Sequence, residues 1–128
     1  MRCTVWLLIV ALVGAGGCAG RAPQPAPTPT AGPPRVGGVI TILMKDNFYE
    51  PSSVEITAGV AYEFVTPNQG TTVHNLVIQG VEGGDITSDI AVNPGQTSRF
   101  TVRIDRPGTY RMQCTYHPEM TGELRVVR

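Results

Sequence analysis

Histidine and cysteine are scarce in this sequence, and their scarcity excludes whole classes of function. Among 128 residues there are 2 histidines and 3 cysteines. Two imidazoles are too few for a multinuclear metal enzyme built on histidine, and three thiols make no disulfide framework. Lys+Arg and Asp+Glu stand at 10 each with no basic run, so the electrostatic footprint of a nucleic-acid binder is missing. The apolar run Val5 to Gly17 is short of the roughly 20 residues that a membrane-spanning helix needs. What the chain does hold is 41% hydrophobic residues, enough to bury a core and to rule out general disorder. The 15 glycines and 11 prolines are unevenly spread, so the chain is mixed and not of low complexity.

The N-terminal end reads as a targeting segment. Arg2 supplies a positive n-region, and Val5 to Gly17 an apolar h-region. Ala15, Gly16, Gly17 and Cys18 resemble a bacterial lipobox, with Cys18 the lipidation site and the mature N-terminus. An ordinary cleaved signal with an incidental cysteine is the alternative. Either way the mature protein is expected outside the cytoplasm, where thiols tend to be oxidised. From Arg21 to Val36 follow Pro23, Pro25, Pro27, Pro29, Pro33 and Pro34, with small residues filling most gaps. Such a segment is a polyproline II spacer reaching about 50 Å. The expected organisation is a signal peptide over 1–17, a Pro-rich linker over 18–37 and one folded domain over 38–128.

That domain shows the period of strands. Val54 and Ile56 alternate with polar neighbours, as do Val60, Tyr62 and Phe64, then Phe100, Val102 and Ile104, then Tyr110, Met112 and Cys114. Leu124 and Val126 close the pattern. Val39 to Met44 and Val73 to Ile78 are more continuously apolar and suit strands too. Turn signals separate them at Glu50-Pro51-Ser52, Ala58-Gly59, Asn93-Pro94-Gly95 and Arg106-Pro107-Gly108. The expected fold is an all-β, antiparallel Greek-key β-sandwich of about eight strands. Gln79 to Ala91 reads as a long loop with one helical turn at Asp85 to Ile90.

The domain's single cysteine lies in Cys114-Thr115-Tyr116-His117-Pro118-Glu119-Met120. Cys114 falls in phase with Tyr110 and Met112, on the inward face of its strand. Pro118 and Gly122 turn the chain, so a tight loop can aim three side chains at one point. The other histidine, His74, belongs to a different strand and precedes Asn75. A thiolate, two imidazoles and a thioether are the set that copper takes in a trigonal His2Cys site with a weak axial Met. Singly, each residue has a plain explanation: a buried structural Cys, a turn or surface His, a Met filling the core. Zinc fits less well, because a thioether serves it poorly and no further Cys or His completes a tetrahedral set. A Cys–His nucleophile pair would leave His74 and Met120 without a role.

These residues resemble the cupredoxins, the small blue copper proteins. The likeness spans residues 40–128 and includes Asn47-Phe48-Tyr49-Glu50-Pro51, His74-Asn75, Asn93-Pro94-Gly95-Gln96-Thr97 and the Cys-to-Met loop, whose spacing is similar to the short loop of the amicyanin-like members and shorter from His to Met than that of the plastocyanin-like ones. The resemblance implies an eight-stranded sandwich with one copper ion at one end, held by His74, Cys114, His117 and Met120. It implies that Asn75, with Thr115, ties the ligand loops together. It also implies partner docking beside His117, at Tyr116 and Pro118. Tyr116 stands where the amicyanin-like and plastocyanin-like members have Pro, and Glu119 where the amicyanin-like members have Phe, so docking specificity does not carry over. Residues 38–128 hold 7 Lys+Arg and 10 Asp+Glu, a net charge of −3.

The functional expectation is a mononuclear type 1 copper protein carrying one electron at a time between a donor and an acceptor redox protein. It is not an enzyme. It works as a monomer, exported to the periplasm or another extracytoplasmic space and lipid-anchored to a bacterial membrane. The alternative is a copper storage, delivery or resistance module, against which stands the absence of a Met- or His-rich cluster. A metal-free interaction domain is a further alternative. A multicopper oxidase or copper nitrite reductase would need imidazoles that the sequence does not have.

Overall fold

A computed structural model describes residues 35–128. The expected signal peptide over 1–17, Cys18 and the expected linker as far as residue 34 lie outside the described residues. The described chain contains ten strands and no helix: β1 Arg35–Thr41, β2 Leu43–Lys45, β3 Phe48–Glu50, β4 Ser53–Thr57, β5 Val60–Pro67, β6 Val77–Gln79, β7 Ile86–Thr87, β8 Thr97–Val102, β9 Gly108–Gln113 and β10 Thr121–Val127. They form a three-stranded sheet in the order β1-β5-β8, a five-stranded sheet in the order β4-β10-β9-β6-β7, and the hairpin β2-β3. Inward-facing residues of both sheets meet in one core that includes Phe64, Ile78, Met112 and Leu124, each with no exposed surface. Burying side chains of this kind contributes about 1.5–3 kcal/mol apiece. Phe64 and Phe100 add a tilted ring pair with centroids 5.7 Å apart.

The all-β sandwich matches the sequence expectation, with differences in detail. The pairing is mixed, not wholly antiparallel: β1 runs parallel to β5, and β4 parallel to β10. Alternation marks a half-buried strand but not the direction of its partner. The count exceeds eight because short pieces pair separately. The apolar stretch Val39 to Met44 divides at Ile42, and the second piece joins the β2-β3 hairpin. The first strand begins at Arg35, ahead of the boundary expected at 38. The expected helical turn at Asp85 to Ile90 is absent. Gly83 and Gly84 take positive φ, and Ile86 and Thr87 pair with β6 instead. Gly122 is not a turn residue but lies within β10 opposite Met112. A side chain there would meet the Ser52 carbonyl oxygen at 2.7 Å, so only glycine lets β10 pack this closely.

Candidate metal centre

One end of the sandwich gathers the loops that matter. β9 delivers Cys114 just past its last residue, and β10 starts just after Met120. The intervening loop is closed by two backbone hydrogen bonds: the Cys114 N–H donates to the Met120 carbonyl at 3.0 Å, and the Met120 N–H to the His117 carbonyl at 2.9 Å. From the other sheet, β5 ends at Pro67, opposite the first residue of β8. The chain then crosses over to His74. The expected strand over Val73 to Ile78 starts only at Val77, and His74 instead forms an isolated bridge with Val92. Its N–H donates to the Val92 carbonyl at 3.1 Å, and its carbonyl accepts from the Val92 N–H at 2.9 Å.

The sequence-predicted thiolate and both imidazoles converge. Cys114 Sγ lies 3.9 Å from His74 Nδ1 and 3.8 Å from His117 Nδ1. All three ligand atoms lie within 4.8 Å of one another. The imidazole rings sit 4.7 Å apart, tilted by 48°. Cys114, His74 and Met120 have no exposed surface, whereas His117 is half-buried. Tyr116, Pro118 and Glu119 beside His117 are exposed.

The supports are equally specific. Asn75 Nδ2 donates to Thr115 Oγ1 at 2.8 Å and to the Ile90 carbonyl at 3.1 Å, while its Oδ1 accepts from the Thr115 N–H at 2.8 Å. One side chain thereby joins the His74 segment to the Cys114–Met120 loop, as the resemblance implied for Asn75 and Thr115. Further groups were not foreseen from sequence. Asn68 is buried, and its Nδ2 donates to the Thr72 and Val92 carbonyls while its Oδ1 accepts from the Gly70 N–H, which shapes the turn before His74. Tyr49 donates to the Asn75 carbonyl. Burial raises its phenol well above the ordinary value, and negative charge at Cys114 acts in the same direction. Asp46, on the β2-β3 turn, accepts from the Thr71 N–H, which holds its carboxyl below the usual range. Nothing in the sequence marked the turn at Asp46 or its reach toward His74. Among the described residues no buried side-chain nitrogen or oxygen lacks a partner.

The donors fit copper. Bonds as long as those zinc makes to thiolate and imidazole, about 2.3 and 2.0–2.1 Å, set at trigonal angles put sulfur and nitrogen about 3.8 Å apart, so the spacing suits a first-row ion and the donor types select copper. The Sγ–Nδ1 separations of 3.9 and 3.8 Å match that spacing. A thiolate suits Cu(I) and imidazole suits both oxidation states, so a single type 1 copper ion is the cofactor that this donor set accommodates.

A family model for the cupredoxin-like domain matches residues 8–126. A plastocyanin from Prochlorothrix hollandica is 35% identical over 74 residues, covering 54% of this chain and 53% of that protein, so the match spans about half of its relative's length. Among solved structures, auracyanin A, a "blue" copper protein of the green thermophilic photosynthetic bacterium Chloroflexus aurantiacus, superposes with a TM-score of 0.61 at 19% identity, covering 71% of this chain and 100% of that one. A reduced amicyanin variant gives a TM-score of 0.55 at 23% identity, covering 70% and 82%. At such identities these structures speak for the fold alone.

Proposed function

This chain belongs to the cupredoxin-like domain family, and on that premise we propose that it is a mononuclear type 1 copper protein carrying single electrons between redox proteins outside the cytoplasm. The observation that carries the reading is the convergence of Cys114 Sγ with both Nδ1 atoms, within 4.8 Å, at the end of a rigid sandwich. Copper bound there supplies a centre that gains and loses one electron. His74, Cys114 and His117 would hold it, and the Met120 thioether would be a further, weaker donor. The residues around it keep the donors still. The two backbone bonds of the Cys114–Met120 loop and the Asn75 tie resist rearrangement when the oxidation state changes. Burial of Cys114 and His74 excludes water from the thiolate side. His117 is the half-buried ligand, so its ring is the route for an electron to the surface. Tyr116 and Pro118, exposed on either side of His117, form the face where a partner docks. Export, and tethering through an acylated Cys18 on the proline-rich spacer, complete the reading.

The test is the visible spectrum and voltammetry of the Cu(II)-loaded protein. An intense thiolate-to-copper band with a reversible one-electron wave is expected, and Cys114→Ser should remove the band without unfolding the sandwich. A colourless complex would favour copper storage or delivery. An intense band surviving in Cys114→Ser would overturn the site assignment.

A further inference from the structure

Resting on the copper reading, we propose that Asp46 is a positioning residue for the ligand His74, holding its ring by Nε2 from outside the site and favouring the oxidised metal. The ring of His74 is fully buried, with Nδ1 toward Cys114. Its other nitrogen, Nε2, lies 3.3 Å from Thr72 Oγ1 and 3.5 Å from Asp46 Oδ1. An ionised carboxylate has lone pairs and no proton to offer. A hydrogen on Nε2 is attracted to that carboxylate, whereas a lone pair there would face its negative charge, so the arrangement favours the tautomer whose Nδ1 keeps the free lone pair that a metal needs. Fixing the tautomer and orientation of a metal-bound imidazole is what outer carboxylates do in other metal sites.

The carboxylate is itself held in place. Its Oδ1 accepts from the Thr71 N–H at 2.7 Å and its Oδ2 from the Thr71 hydroxyl at 3.0 Å. Its neighbour Lys45 is paired with Glu50, and among the described residues Asp46 has no Lys or Arg partner to cancel its charge. The gap between carboxylate and ring depends on a second position. A Cβ at Gly70 would lie 2.5 Å from Asp46 Oδ1 and 2.9 Å from His74 Nε2. Real Cβ atoms do not come so close, so a side chain at 70 would push the two apart. Gly70 and Asp46 thus make one device. A negative charge beside the ring stabilises the more highly charged Cu(II) over Cu(I) and lowers the reduction potential.

Four proteins test this: wild type, Asp46→Asn, Asp46→Ala and Gly70→Ala. The readouts are the reduction potential, nitrogen NMR of the His74 ring in metal-free protein, and thermal melting. Both Asp46 variants should bind Cu(II) about tenfold more weakly relative to Cu(I), which raises a one-electron potential by about 59 mV. Gly70→Ala should shift the potential in the same direction. In the metal-free wild type the His74 ring should be the Nε2–H tautomer, and Asp46→Ala should mix the tautomers. Unchanged potentials and tautomer in the Asp46 variants, with only a lower melting temperature, would overturn the proposal and leave Asp46 a latch for the Thr71 turn. A wild type without a blue band or one-electron wave would instead fail the copper reading, while the metal-free NMR still decides what Asp46 does to the ring.

Discussion

Tyr49 and Asn75, separated by 26 residues, are joined by a 2.7 Å hydrogen bond from the phenol to the Asn75 carbonyl. The bond is buried, and it fastens the β2-β3 hairpin to the residue next to His74. Its loss in Tyr49→Phe leaves a buried carbonyl without a donor and should cost about 1–3 kcal/mol of stability. Denaturant unfolding at neutral pH measures this.

The same phenol predicts an alkaline limb. Burial raises its pKa above the unfolded value of about 10. Below about pH 10 both states are neutral and the contribution is full. Above it the unfolded chain ionises first, so stability declines as pH rises toward the folded value. Tyr49→Phe should decline less steeply between about pH 10 and 12 than wild type does; parallel curves would show that the phenol does not contribute to the limb.

Asn75→Ala removes three hydrogen bonds at once. At about 1 kcal/mol net for each, the sandwich should lose roughly 3 kcal/mol. Copper should also leave faster, because the His74 segment and the Cys114–Met120 loop then move independently. Stopped-flow transfer of copper to a chelator follows the rate, and an unchanged rate would mean that the loops are held by other contacts.

Met120→Leu should keep copper and colour while raising the reduction potential, since a weak donor lost disfavours Cu(II). Complete loss of copper affinity would make Met120 a primary ligand and the site something other than type 1.

Cys18→Ala should move the protein from the membrane fraction to the soluble one if acylation there provides the anchor. Fractionation of cells producing each form decides it; a wild type found wholly in the soluble fraction would leave the spacer without an anchor.

Much of the site is legible in the sequence. The Cys114–Met120 loop spans seven consecutive positions, so spacing alone shows that its donors can meet, and the phase of Tyr110, Met112 and Cys114 shows which way the cysteine points. All three prove buried. The alternating strands β4, β5, β8, β9 and β10 are legible for the same reason: a two-residue period is a local property.

Tertiary structure alone decided the rest. Asp46 reaches His74 across 28 positions, Tyr49 reaches Asn75 across 26, and Asn68 reaches Val92 across 24. No periodicity records which polar side chain will meet which buried group at such separations. The parallel pairing of β1 with β5 and of β4 with β10 is silent for the same reason, because a strand's own pattern names its buried face but not its neighbour. Sequence by itself determined the donors and their chemistry, since these depend on residue type and local spacing. Which carboxylate stands behind His74, and which glycine leaves room for it, depended on how the β2-β3 turn packs against the segment after β5. Only the folded chain brings those two segments together.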